Sequence, residues 1–139
     1  MARFLHDYYA GQPVVANDIG AIDYFADIRV VDIWGLASLE TARLRVAGNR
    51  SVEALQEVVS AKRASIAVVY DSWLVEYYAI PPAWTLIGDL ELQDNVVCAS
   101  PIVSFYATRP EEAPRLRIAF RAFASSLPAQ VGVRVAAPR

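Results

Sequence analysis

Asp18, Asp32 and Asp71 are the residues best placed to do chemistry, because each stands at the end of a short β-branched or small apolar run. Val-Val-Ala leads to Asn17-Asp18, Val-Val leads to Asp32, and Ile-Ala-Val-Val-Tyr leads to Asp71. Buried parallel strands read as such runs, and open α/β sheets place their binding groups just past the strands' carboxyl ends. Three strands ending this way would bring three carboxylates to one sheet edge, where they suit sugar hydroxyls or a cation. Trp34 and Trp73 follow Asp32 and Asp71 by two residues, and Tyr70, Tyr77, Tyr78 and Trp84 are close in sequence. Flat apolar rings beside carboxylates are a common carbohydrate-binding composition. Every one of these residues also has a structural reading: the aspartates as helix or turn caps, the aromatic rings as core and rim, or as a surface packed on a partner.

Other chemistries lack their parts. His6 is the sole histidine and has no neighbour that suggests a triad or a metal site, so it reads as structural. Ser38, Ser72 and Ser104 lack the Gly-x-Ser-x-Gly elbow. Asn17-Asp18-Ile-Gly-Ala-Ile lacks the three-glycine loop that approaches a pyrophosphate, and no phosphate-loop Lys-Ser/Thr follows it. Cys98, the one cysteine, reads as a small buried hydrophobe. No metal and no cofactor is expected.

The elements that must position the aspartates follow from spacing. Ala2 to Tyr9 has helical periodicity, and Gly11 and Pro13 close it. Strands are expected at Val14 to Ala16 and Arg29 to Ile33, around a helix ending at Phe25 that Asn17 or Asp18 would cap. Ser38 and Ser51 suit the caps of two further helices, Leu39 to Val46 and on to about Ala61, and Ile66 to Tyr70 is a third buried strand. After Trp84, Thr85 to Gln93 and Val96 to Ala107 read as strands joined by a tight hairpin at Asp94-Asn95. A helix from Pro110 places Leu116, Phe120, Phe123 and Leu127 on one face, and Val131 to Ala136 supplies an edge strand. The expected architecture is a single Rossmann-like α/β domain over residues 1–139. Its mixed sheet is parallel in the first half, antiparallel after Trp84, and flanked by helices.

Composition narrows the partners. The chain has 139 residues, a net charge of −2 and a pI near 5.3, with no basic footprint for nucleic acid. Hydrophobic residues make up 55% and mean hydropathy is +0.28, an apolar excess that suggests a covered surface, yet no window is apolar enough to span a membrane. The start lacks a signal-peptide core.

Asp-Ile-Gly-Ala-Ile-x-Tyr-Phe (Asp18 to Phe25), Arg-Val-Val-Asp-Ile-Trp-Gly-Leu (Arg29 to Leu36) and Val-Tyr-Asp-x-Trp (Val69 to Trp73) together resemble one known domain type. It is the extracytoplasmic C-terminal domain of bacterial polytopic glycosyltransferases of the C superfamily, relatives of the protein mannosyltransferases and the aminoarabinose transferase. Asp23 departs from it, standing where those domains often have glycine. Such enzymes carry their catalytic carboxylates between transmembrane helices, so the resemblance gives Asp18 and Asp32 no catalytic role. It implies an accessory domain on the periplasmic or extracellular side, whose partner is the transmembrane glycosyltransferase region or another membrane partner. Its ligand would be a glycan or a polyprenyl-phosphate sugar, met by Asp18, Asp32, Trp34, Asp71 and Trp73 in one groove. The alternative is an interaction module that docks on a membrane-embedded partner and takes no small molecule. An independent enzyme is a third class, for which no acid/base pair is recognisable.

Overall fold

A computed structural model describes residues 1–137 and shows a single α/β domain built on one six-stranded mixed sheet. The elements run α1 (Ala2–Tyr9), β1 (Pro13–Ala16), α2 (Gly20–Phe25), β2 (Arg29–Asp32), α3 (Leu39–Val46), α4 (Val52–Ala61), β3 (Ile66–Val69) and α5 (Asp71–Tyr77). They continue with β4 (Thr85–Leu92), β5 (Ile102–Ala107), a short 3-10 turn at Pro110–Glu112, α6 (Ala113–Ala124) and β6 (Val131–Val135). Strand order is β2-β1-β3-β5-β4-β6; the first three strands are mutually parallel, and the remaining pairings are antiparallel.

The alternation of side chains along the strands divides the core in two. Val14, Ala16, Ile66, Val68 and Phe105 face α1, α2 and α6, which bury Phe4, Leu5, Ile22, Leu116 and Phe120 against them. Val15, Val31, Ala67, Val69 and Tyr106 face the other way, against Leu55, Val58 and Val59 of α4 and Leu74 of α5. The crossover from β1 to β2 therefore lies on one face and that from β2 to β3 on the other, as in a doubly wound sheet. At Gly88 on β4 a side chain would place its Cβ 2.6 Å from a ring carbon of Phe120, so only glycine lets α6 seat on the antiparallel half.

The chain leaves β1 toward β2 and leaves β3 toward the opposite side of the sheet, so the gap between their carboxyl ends is the topological switch point. Asn17 closes it. Its side-chain amide donates to the Tyr70 carbonyl at 2.9 Å and its Oδ1 accepts from the Tyr70 N–H at 2.9 Å, extending the parallel ladder by one side-chain rung. Asn17 is 1% exposed, so both bonds are protected from water.

Helix starts at Ser38 and Ser51 form as their sequence predicts, each hydroxyl accepting a backbone N–H, from Thr41 and Ala54 respectively. Three local expectations are corrected. α2 begins at Gly20 with Ile19 before it and no side-chain cap; Asn17 is taken by Tyr70. The tight hairpin at Asp94-Asn95 is instead a connection over residues 93–101: Asp94 has φ 56°, and the Asn95 side chain bonds the Cys98 N–H and carbonyl, folding the segment on itself before β5 starts at Ile102. Cys98, carried on that connection, is exposed rather than buried.

Because the Asn17 rung is buried, Asn17→Ala strands the Tyr70 N–H, whose partner is Asn17 Oδ1, and removes one of the three donors to the Tyr70 carbonyl, which keeps those of Trp73 and Leu74. Urea unfolding should show a loss of about 3 kcal/mol, whereas Ala21→Ser on the exposed side of α2 should stay within about 0.5 kcal/mol of the parent. An unchanged midpoint for Asn17→Ala would show that the rung adds nothing.

Candidate functional site

The carboxyl ends of β1, β2 and β3 share one edge of the sheet, and the three strand-end aspartates do different things there. Asp32 is 4% exposed and spends both oxygens on the turn that follows it. Oδ1 accepts from the N–H groups of Trp34 (2.8 Å) and Gly35 (2.9 Å), and Oδ2 from those of Ala37 (2.7 Å) and Ser38 (3.1 Å). Four converging amides replace water around the buried charge. Gly35 completes the turn with φ +86°, its Cα so close to α3 that a Cβ would lie 2.9 Å from backbone atoms of Ala42.

Asp71 opens α5 and turns toward the antiparallel half. Its Oδ2 accepts from the hydroxyls of Ser104 and Tyr106, both at 2.9 Å, while Oδ1 is buried without a partner. Burial pushes the carboxyl above the ordinary range; the two hydroxyls work against that shift, and the nearby Asp89 charge adds to it. Asp89 lies across from Ser104 on β4 and is held by Arg134 of β6, whose Nε donates to Oδ2 at 2.6 Å. Burial, then the Asp71 charge, also raises the Tyr106 phenol, which keeps its proton and its donor role. Asp18 is partly exposed beside the Tyr70 hydroxyl, whose pKa is raised first by burial and further by Cys98 and Asp18.

The aromatic residues converge where the carboxylates do not. Trp34, in the turn that Asp32 organises, meets Trp73 of α5 with ring centroids 5.1 Å apart and Tyr77 edge-on at 5.0 Å. Tyr70 joins through Trp73 at 5.6 Å. Tyr78 and Trp84 belong to the core instead. Arg45 of α3 lies over this cluster, its guanidinium carbon 4.3 Å from the Trp34 ring centre and 4.2 Å from that of Tyr77, and its Nη1 donates to the Trp34 carbonyl at 2.5 Å. Arg50 approaches Tyr77 at 5.2 Å. Trp34, Tyr77, Arg45 and Arg50, together with Gly35, Ala42 and Val46, line an open recess of about 430 Å³, with Trp73 behind Trp34.

Of the five residues singled out in the sequence, the structure therefore brings Trp34 and Trp73 into contact. Asp32 serves as a turn centre beneath Trp34, Asp71 points to Ser104 and Tyr106, and Asp18 stands by Tyr70. Arg45 and Arg50 were missed. The available signal was helical spacing: Thr41 and Asn49, four residues either side of Arg45, offer it no carboxylate. Among the described residues no group of three or more His, Cys, Asp or Glu side chains is arranged to hold a metal ion.

Residues 1–106 match the family described as Domain of unknown function (DUF8728). No curated protein and no solved structure matches the chain.

Buried Asp32 and half-buried Asp71 should answer differently to substitution. Asp32→Ala strands four amides and should cost about 3 kcal/mol or more in thermal or urea unfolding. Asp71 binds its proton more tightly folded than unfolded, so its contribution is fully present below the unfolded carboxyl pKa and is lost as pH rises through the folded value. Asp71→Asn retains an acceptor for both hydroxyls and removes that titration, so it should gain stability relative to the parent between pH 4 and pH 7. A difference that is flat with pH over that range would contradict the raised carboxyl.

Proposed function

The chain belongs to the DUF8728 family, whose description carries no activity, and we propose from its own residues that it is a non-catalytic carbohydrate-recognition domain. It is an accessory to a lipid-linked sugar transferase, works on the extracytoplasmic side of the membrane, and engages acceptor or glycan. The observation that carries this reading is the recess that Trp34 and Tyr77 line together with Arg45 and Arg50, with Trp73 packed against Trp34. Rings and guanidinium groups that hold one another in place offer a ligand hydrogen-bond donors and contact area at little entropic cost.

A non-catalytic role is supported by how the acids are used. Asp32 is saturated by backbone, Asp71 and Asp89 are tied to Ser104, Tyr106 and Arg134, and none of the three lines the aromatic recess. No acid and base therefore face each other across the recess. The placement beside a membrane enzyme rests on the motif resemblance at Asp18 to Phe25, Arg29 to Leu36 and Val69 to Trp73. No described helix is long and apolar enough to cross a membrane, so a transmembrane partner would be supplied from outside these residues.

One observation favours the docking alternative. Val96 and Val97 are 91% and 93% exposed on the connection after β4, and Leu36 is 65% exposed after β2, so apolar side chains project from the same sheet edge. An edge that packs on a membrane-embedded partner would bury them.

NMR titration of the domain with a panel of neutral and acidic oligosaccharides distinguishes the two. Saturable shifts clustered on Trp34, Tyr77, Arg45 and Arg50, weakened at least tenfold by Tyr77→Ala in a folded variant, are expected for recognition. A folded parent that responds to none of them would overturn it in favour of docking.

A further inference from the structure

We propose that the recess beside Trp34 selects saccharides that carry an anionic group, a carboxylate or a phosphate, and that Arg45 and Arg50 receive it. This deepens the carbohydrate reading above and rests on it.

The ring surfaces themselves are the first reason. A neutral sugar needs an open aromatic face, and here the guanidinium of Arg45 already covers both Trp34 and Tyr77, at 4.3 and 4.2 Å from their centres. Trp34 is also packed against Trp73 and against the edge of Tyr77. Arg50 is a second cation over Tyr77. What the recess presents is therefore guanidinium edges more than ring faces.

Charge is the second reason. The protein as a whole is acidic, yet none of the ion pairs among the described residues includes Arg45 or Arg50. No carboxylate lines the recess. Asp32, the acid built into the adjoining turn, directs both oxygens at backbone amides and gives none to Arg45. The two cations share a concave, partly apolar surface with no internal counter-charge, and such surfaces concentrate anions.

Preorganisation is the third. Nη1 of Arg45 is fixed by the Trp34 carbonyl and its plane by two rings, while its Nε and Nη2 make no hydrogen bond among the described residues. A guanidinium held in place with free donors binds a planar carboxylate or a phosphate oxygen pair without first losing side-chain freedom. The recess, at about 430 Å³, lies within the range of small-molecule sites.

The test is calorimetric titration of the folded domain, at low and high salt, with four probes: a neutral oligosaccharide, its uronic-acid counterpart, a sugar phosphate and inorganic phosphate. The uronic-acid and phosphate-bearing sugars should bind at least tenfold more tightly than the neutral one, and the gap should close in high salt. Arg45→Gln should abolish the gap and Arg45→Lys should restore part of it. Arg50→Gln, at an exposed position, should narrow the gap in a variant whose folding is not in question. Equal affinity for neutral and acidic sugars would overturn the anion selectivity and leave the carbohydrate reading standing. Inorganic phosphate binding as tightly as the sugar phosphate would show an anion site without saccharide recognition, overturning the proposal as a saccharide site. A folded protein that binds no probe would overturn both.

Discussion

The rung that Asn17 builds between β1 and β3 is the constraint from which the edge of this domain takes its shape. A doubly wound sheet parts at its switch point, because successive connections diverge there, and the crevice so formed is where many α/β folds seat a ligand. Here one buried amide fills that place and binds both backbone groups of Tyr70. Tyr70 is also the residue from which α5 departs: its carbonyl accepts from the N–H groups of Trp73 and Leu74. Asn17 thus fixes the launch point of the helix that carries Asp71, Trp73 and Tyr77. Closing the usual crevice and orienting the aromatic cluster are one event, and the recess has moved from the switch point to the flank formed by α3 and α5.

A second constraint acts across the gap. Burying a carboxylate costs several kcal/mol unless donors replace its water, and Asp32 meets this with four amides of a single turn. That solution requires the backbone to curl tightly, hence the positive φ of Gly35 against Ala42. The curl leaves Trp34 projecting toward α5 with its carbonyl free for Arg45. A carboxylate that looks like a binding group in sequence is the scaffold that aims the neighbouring tryptophan and arginine.

Much of this was legible beforehand. Continuous Val/Ile runs identified the parallel strands, Ser38 and Ser51 marked two helix starts, and the switch to an antiparallel half after Trp84 followed from two strand runs joined through Asp94-Asn95, although the connection itself is wider than a tight turn. The misreadings share a cause. Asn17 and Asp18 have the composition of caps, yet a long-range partner at Tyr70 outbid the local one. Asp94-Asn95 has the composition of a two-residue turn, but the side chain of Asn95 stabilises a wider loop by bonding Cys98. Asp71 is 33 and 35 residues from Ser104 and Tyr106, and only strand pairing between β3 and β5 brings them together. Sequence shows local preference; which of two satisfactory partners a polar side chain takes is decided by tertiary register.

That distinction bears on the proposed chemistry. An acidic chain would ordinarily be expected to use its carboxylates for ligands and its arginines for ion pairs. Here Asp32 is consumed by a turn and Asp71 by two hydroxyls, and Arg134 is the partner of Asp89. Arg45 and Arg50 are left without a carboxylate, and Arg45 is held by rings whose quadrupoles attract a cation without neutralising it. Cation–π contacts keep the charge available, whereas an ion pair would quench it. A site assembled in this way gains little from a neutral ligand that must displace the guanidinium to reach a ring, and gains both a hydrogen bond and a counter-charge from an anionic one. The aromatic cluster is then the holder of the arginine, and the arginine is the reader of the ligand.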